Sequence, residues 1–399
     1  MSASSDPPPV VIAGAGIAGL TAALALARAG RPSIVLERAV HLEEIGAGIQ
    51  LSPNASRILV ELGLRDALAA TAVEPAAIRI RDARTGADLV RLPLAEVAAR
   101  HGAPYWVIHR GDLQAALLDA VRAEPRIDLR LGAYIEGAVD AGDRVEVDVF
   151  FGERRGMVRG AALVGADGVW SKTRVAVLGG EPARYSGRTA WRAVLPVEAV
   201  EGLRIEDLTG ATSLWLGRRA HLVTYPIRGG RLLNIIAAVD GDWVEQRWDT
   251  VGDPSDLKAA FADWPGVIRD LLAKPQSWRK WALFAVAGAP FARGRVALIG
   301  DAAHAMLPFV AQGGAMAVED AAVIARHLAD PSRPVPDRLA AYASERRGRT
   351  AKVAGAAATN ARVYHLDGLA AGARNAAMRL MGPSRMLARM DWIWGWRDR

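Results

Sequence analysis

Between residues 10 and 37 the chain runs strand, glycine turn, helix, strand, acid, and that order leaves few folds open. Val10-Val11-Ile12-Ala13 is a short apolar run of strand type. Gly14-Ala15-Gly16-Ile17-Ala18-Gly19 follows it, then an Ala/Leu-rich helix former over 21–29 closed by Gly30. Gly14 permits the tight turn, Gly16 lets backbone approach a pyrophosphate, and Gly19 allows close helix–strand packing. The helix start turns its N–H groups and positive dipole end towards phosphates. A second strand, Ser33-Ile34-Val35-Leu36, ends in Glu37, where a carboxylate can accept both hydroxyls of an adenosine ribose, and Arg38 is assigned to the same site. A dinucleotide site with a free ribose 2′-hydroxyl is the expectation, which NAD and FAD both satisfy.

Composition narrows the class. At 399 residues and 51% hydrophobic the chain can bury a large core in two or three domains. The net charge of +7 comes from scattered arginines without dense runs, which argues against a nucleic-acid partner. No cysteine is present, so disulfides, thiolate metal sites and a sulfur-tethered cofactor are excluded; no metal is expected, and a cytoplasmic location fits. The uncharged stretch 10–27 has membrane-spanning length, but Asp6 and three prolines precede it and the nucleotide unit explains it, so no integral membrane segment is expected.

Two further motifs choose between the cofactors. Leu163-Val164-Gly165-Ala166-Asp167-Gly168 is a strand entering a turn that continues through Ser171 and Arg174. Val296-Ala297-Leu298-Ile299-Gly300-Asp301 is another buried strand ending in Gly-Asp, with His304, Pro308 and Gln312-Gly313-Gly314 downstream. With the first unit, these motifs resemble the single-component FAD-dependent aromatic hydroxylases, the group A flavoprotein monooxygenases, over nearly the whole chain. The resemblance implies non-covalent FAD with Asp301 on a ribitol hydroxyl and the backbone after Gly300 around the pyrophosphate. It implies Asp167-Gly168 beside both FAD and the passing NADH or NADPH, and Arg110 reaching the phosphate or ribose; a surface arginine at a helix start is the alternative for Arg110. Asp112 reads as an N-cap or first-turn acid. Gly313 and Gly314 open a helix with Val318, Ala321, Ala322, Ile324, Ala325 and Leu328 on one face, its dipole aimed at the flavin. Glu319 and Asp320 are expected to complement that dipole, and His304 to be structural. No second Gly-x-Gly-x-x-Gly unit exists for the reductant, which is expected to bind transiently.

From about residue 185 to 284 the texture changes to alternating strands, read as a sheet roofing the flavin. His221 and Tyr225, four apart in one strand, share a face. With Trp215-Leu216-Gly217 and Pro226 they resemble the salicylate, 3-hydroxybenzoate and 6-hydroxynicotinate hydroxylase branch. That resemblance makes His221 and Tyr225 substrate contacts, with His221 the base that takes the ring hydroxyl proton. A histidine titrating near neutrality suits a phenol with pKa near 10. Pro308 and Gln312 are assigned to the oxygen-reactive face and the substrate, with Gln312 as a helix-start backbone binder the alternative. The loop 44–54 is implied to pass near the flavin ring.

The fold expected is α/β: a Rossmann-like FAD-binding domain of the p-hydroxybenzoate hydroxylase type, with an inserted β-sheet substrate domain and C-terminal helices. The FAD-binding domain takes 1–75, 101–180 and 285–360, the substrate domain 76–100 and 181–284, and a helical segment 361–399. A helix over about 338–349 precedes a Trp/Met/Arg-rich tail, expected to cover the catalytic domains or make a homodimer contact rather than lie on a membrane. The implied activity is catabolic: NAD(P)H and O2 hydroxylate a small aromatic acid through a flavin C4a-hydroperoxide. An FAD-dependent oxidase or dehydrogenase of an amine or alcohol shares the first glycine motif, and a flavoprotein with structural or redox-sensing FAD is the non-enzyme alternative.

Overall fold

A computed structural model describes residues 7–42, 47–243, 245–247 and 250–398, so Glu44, Ile45 and Gly46 of the flavin-side loop lie outside the described residues. The apolar run Val10–Ala13 is buried at every position, as a strand covered on both faces must be. It sits inside a sheet ordered Ala292–Arg293, Val296–Leu298, Ala162–Gly165, Val10–Ala13, Ser33–Glu37, Ile127–Leu131. All its pairings are parallel except that of the edge strand Ala292–Arg293. The three motif strands are therefore neighbours, and their glycine turns emerge at the same end. Helices Ile17–Arg28 and Gly313–Ala329 pack against each other there.

A second, mainly antiparallel sheet runs Thr250–Gly252, Trp278–Ala285, Arg184–Pro196, Leu232–Asp240, Ala220–Ile227, Thr212–Gly217, Ala77–Asp82, Asp88–Pro93. Its alternation separates two faces. Trp191, Ala193, Leu195, Trp215, Leu222, Leu233 and Ile235 bury against Leu257, Phe261, Ile268 and Leu271 of the helical stretch that follows Thr250–Gly252. The cross-strand register puts Arg192, Ile236 and Val223 in one row of the other face, with His221 and Tyr225 beside them. Two short strands, Gly48–Leu51 and Trp106–His109, pair with each other, and the latter packs against the strand Ala220–Ile227.

The helix expected over 338–349 extends from Val335 to Tyr364, crossing residue 361, where the sequence division placed a boundary. Pro336 falls in its first turn, where a missing N–H leaves no hydrogen bond unmade. The tail helix Gly368–Ala388 kinks at Gly382-Pro383, and a last turn, Asp391–Trp394, buries Ile393 and Trp394. Trp394 meets Tyr105 edge-on at 5.9 Å, so the tail covers the protein. Among the described residues no helix is long and apolar enough to cross a membrane.

Candidate active site

The glycine turn has the shape its sequence requires. Gly14 has φ +106°, and a Cβ there would lie 2.6 Å from the Ala166 carbonyl oxygen, so the loop rests directly on the end of the strand Ala162–Gly165. A Cβ at Gly19 would overlap the Gly14 carbonyl. One at Gly16, the N-cap of helix Ile17–Arg28, would meet no protein atom within 4 Å. That open flank, beside the helix N–H groups, is the room a pyrophosphate needs.

Glu37 Oε2 accepts from the Ala15 N–H at 2.9 Å and Oε1 from the Ala39 N–H at 2.9 Å, which fixes the acid beside the loop with a lone pair on each oxygen still free for a ribose. Arg38 is exposed next to it. Gln114, which the sequence reading missed, donates to the Ala15 carbonyl at 3.1 Å. It lies on helix Arg110–Ala123, which Arg110 opens with an exposed side chain. His109 caps that helix, accepting from the Gly111 N–H, while Asp112 is a first-turn acid bonded to Arg228 at 3.0 Å.

The second and third motifs interlock. Asp167 accepts from the Ser171 hydroxyl and from both the N–H and hydroxyl of Thr173. Its carboxylate thus shapes the turn assigned from sequence to FAD and the reductant, and its backbone underlies Gly14. Buried Arg174 donates to the Val169 carbonyl at 2.6 Å and to the Ala302 carbonyl at 2.8 Å, joining the Asp-Gly turn to the Gly-Asp turn. Gly300, at φ +58°, is pinched between Ala18 and Ala317, so the first helix and the glycine helix converge on it. Asp301, next in the chain, is exposed on this rim.

Glu319 and Asp320 do not serve the helix dipole. They lie beyond the first turn of Gly313–Ala329, and both are fully buried. Arg346 reaches Glu319 at 2.8 Å and Asp320 at 2.6 Å, Arg349 reaches Glu319 at 2.6 Å, and Asp320 also accepts from His304 and the Gly300 N–H. Burial pushes the Asp320 carboxyl up, but His304, Arg346 and the Gly300 N–H hold it below the usual carboxylate range. Asp320 thus pins the Gly300 turn to the glycine helix, Glu319 ties that helix to Asn54, Arg346 and Arg349, and His304 is structural. Trp396 lies over Arg346 and Arg349, so the tail closes this network. Replacing Arg346 with Met is expected to cost ~3–5 kcal/mol by leaving buried carboxylates uncompensated. Urea unfolding checks this, and an unchanged midpoint would remove the network as a brace.

The buried Gln312 amide donates to Ser52 at 2.8 Å and accepts from Asn54 at 3.0 Å, so it braces the loop that carries Ser52 and Asn54. It does not cap the helix with its side chain. Asn54, which also donates to Glu319 at 2.7 Å, was unassigned from sequence. A Cβ at Gly314 would lie 2.6 Å from Ile49, and one at Gly48 would overlap the Tyr225 ring, so the strand Gly48–Leu51 is gripped between the glycine helix and the sheet. Gly313 keeps open space at its Cβ, and Pro308 is exposed.

On the sheet, His221 is 3% exposed and meets Phe309 edge-on at 4.8 Å, with Phe309 held in turn by Asn360 and Tyr364. Pro308-Phe309 therefore carries the Gly-Asp segment to His221. Burial first, then His365 and Arg188, push the His221 imidazole well below its ordinary value, which corrects the expectation of titration near neutrality. Burial pushes the Tyr225 hydroxyl up, keeping it neutral. Arg192, absent from the sequence reading, shares their face. Its guanidinium stacks over Trp281 at 3.8 Å, its Nε has no hydrogen-bond partner among the described residues, and no carboxylate pairs with it there. Burial pushes it down to about 10 against the opposing influence of Tyr225, with Arg110 adding to the depression. A solitary alternating arginine in an apolar strand gave no signal of this.

The sequence matches the family described as FAD binding domain over residues 8–357. It is 37% identical over 397 residues to 3-hydroxybenzoate 6-hydroxylase 1 of Aquipseudomonas alcaligenes, covering 97% of each chain. It is 36% identical over 328 residues to 6-hydroxynicotinate 3-monooxygenase of Bordetella bronchiseptica, covering 80% of this chain and 82% of that one. Among solved structures, a salicylate hydroxylase substrate complex superposes with a TM-score of 0.83 at 25% identity, covering 99% of this chain and 97% of that one. HpxO of Klebsiella pneumoniae, complexed with FAD and uric acid, gives 0.82 at 26% identity, covering 96% and 95%.

Proposed function

The chain belongs to the FAD binding domain family, and on that premise we propose that it is an FAD-dependent monooxygenase that uses NADH or NADPH and O2 to hydroxylate a small aromatic acid of the hydroxybenzoate, salicylate or hydroxynicotinate type. One observation carries the reading. The sheet register puts Arg192, His221 and Tyr225 on the face that meets Gly48 and Phe309, the two segments leading into the dinucleotide cradle. On one face, a cation with no counter-ion among the described residues, a neutral imidazole and a neutral phenol match a carboxylate, an acidic hydroxyl and an aromatic ring.

The residues present suit FAD. Gly14, Gly16 and Gly19 would leave room for its pyrophosphate, Glu37 would take the ribose, and Asp301, Arg110, Gly300, Gly313 and Gly314 would line the rest of it. Bound FAD supplies the transfer of electrons from NAD(P)H and the activation of oxygen. The chain's own groups do the rest. Arg192 holds the substrate carboxylate, His221 Nε2 takes the ring hydroxyl proton, and Tyr225 fixes the ring's position. Phe309, Val223 and Ile236 limit water on that face. Dependence on the pyridine-nucleotide pool supports a cytoplasmic location.

The test is NADH and NADPH consumption in air with a panel of hydroxybenzoates and hydroxynicotinates, quantifying peroxide and aromatic product together. One compound is expected to accelerate oxidation and give stoichiometric hydroxylated product. Reduction of the flavin by amines or alcohols alone would replace this reading with an oxidase. Arg192→Met is expected to raise KM for the acid ~10–100-fold, the worth of one or two charge-assisted hydrogen bonds. A matching phenol without the carboxylate should be little affected. Equal KM values for the acid in variant and wild type would detach Arg192 from the carboxylate.

A further inference from the structure

His221 raises a chemical problem that its neighbours answer. A buried imidazole of depressed basicity can accept a phenol's proton but holds it poorly, so the proton needs somewhere to go. Resting on the hydroxylase reading above, we propose that His221, His365 and Asp240 form a hydrogen-bonded chain that sets the tautomer of His221 and carries the substrate's hydroxyl proton to the protein surface.

His221 Nδ1 lies 2.8 Å from His365 Nε2, and His365 Nδ1 lies 2.9 Å from Asp240 Oδ1. The members come from three places in the chain. His221 is on the strand Ala220–Ile227, Asp240 ends the strand Leu232–Asp240, and His365 caps the long helix Val335–Tyr364. Backbone bonds close the corner, with the Arg219 N–H donating to the His365 carbonyl and the Asp240 N–H to the Arg219 carbonyl. Phe309 and Tyr364 wall the His221 ring at 4.8 and 5.5 Å, so among the described residues its route for a proton runs through His365. The Asp240 side chain is 27% exposed, which gives the chain a wet end.

The order of acceptors fixes every proton. An ionised Asp240 accepts only, so His365 carries its proton on Nδ1 and presents a lone pair at Nε2. His221 must then donate from Nδ1, which leaves its Nε2 with a lone pair and no protein partner among the described residues. That nitrogen is the one available to the substrate. On transfer, the substrate O–H bond breaks and an N–H bond forms at His221 Nε2. The Nδ1 proton of His221 passes to His365 Nε2, and the Nδ1 proton of His365 passes to Asp240 and on to water. The substrate becomes its phenolate, and one proton leaves.

The charges around the chain are these. Arg188 pairs with Asp240 at 3.1 Å and Arg219 stands at 4.0 Å from it, while Arg374 on the tail helix adds a positive field at His365. His365 and Asp240 touch no substrate in this scheme; they are positioning residues acting through His221.

The experiment uses FAD-loaded protein with 3-hydroxybenzoate as the probe. Two quantities are read across pH: the absorbance change that reports ionisation of the bound phenol, and kcat and KM for NADH-driven hydroxylation. Asp240→Asn presents an amide N–H to His365 and reverses the tautomers, leaving His221 Nε2 protonated. It is expected to raise the pH of bound-phenol ionisation by roughly one unit or more and to lower kcat ~10²–10⁴-fold with KM little changed. His365→Gln keeps an acceptor for His221 Nδ1 but cannot relay, so a smaller shift in the same direction is expected. Variants that retain FAD and thermal stability, yet ionise the bound phenol at the wild-type pH with wild-type kcat, would overturn the relay. A wild-type protein that oxygenates no phenol at all would instead overturn the hydroxylase reading, and the relay with it.

Discussion

Replacing Gly16 with alanine should give a protein that folds as stably as the wild type and no longer holds FAD, whereas Gly19→Ala should lose both. The two glycines sit three residues apart in one turn, and their surroundings differ. An alanine Cβ at 16 meets no protein atom within 4 Å, and its backbone, at φ −76°, is open to any residue. The methyl group would stand only where the pyrophosphate approaches the helix N–H groups. Losing two charge-assisted hydrogen bonds there should weaken FAD binding ~100-fold or more. At 19 the Cβ overlaps the Gly14 carbonyl and crowds Ile12 at 3.3 Å. The helix Ile17–Arg28 cannot retreat, because Ala18 already packs against Gly300 on its other side. An overpacking cost of ~1–3 kcal/mol or more is expected. FAD titration and thermal unfolding of the apo-proteins separate the two effects. Wild-type FAD affinity in the Gly16 variant would move the pyrophosphate elsewhere.

The second large effect belongs to His221. His221→Ala should keep its yellow cofactor, since no cradle residue contacts the imidazole, and should lose ~10²–10⁴-fold in hydroxylation rate for want of a base. The sign of the pH dependence follows from its environment. Burial, His365 and Arg188 lower the imidazole's value, so His221 is neutral and ready to accept a proton throughout the neutral range, and the acid limb of the wild-type rate lies below the usual histidine range near 6.5. Without it, only substrate already ionised in solution can react, so the rate should climb with pH towards the phenol's own pKa near 10. A rate–pH profile identical to wild type would remove His221 as the base.

Much of this was legible in the sequence because it was local. The turn Gly14–Gly19, the acid at Glu37 and the Gly-Asp end of the strand Val296–Leu298 are backbone requirements, and a backbone requirement leaves glycines at fixed spacing whatever the rest of the chain does. His221 and Tyr225 were found together because strand alternation alone puts residues four apart on one face. The side-chain partners were not legible. Asp167 and Gln312 read as ligands, and no pattern along the chain shows that their side chains also bond Ser171, Thr173, Ser52 and Asn54. Glu319 and Asp320 looked like dipole partners because Arg346 and Arg349 stand nearly 30 residues away in sequence and a fraction of a helix diameter away in space. Arg192 and His365 carried no motif, and only the register of the strand Arg184–Pro196 and the end of the helix Val335–Tyr364 bring them to the face of His221 and to its ring. The sequence by itself determined the glycine turns and the family, because those rest on contacts within short stretches. The tertiary structure decided which polar side chains remain free for chemistry, because a hydrogen bond is settled by what lies within about 3 Å in space, and no pattern along the chain records that distance.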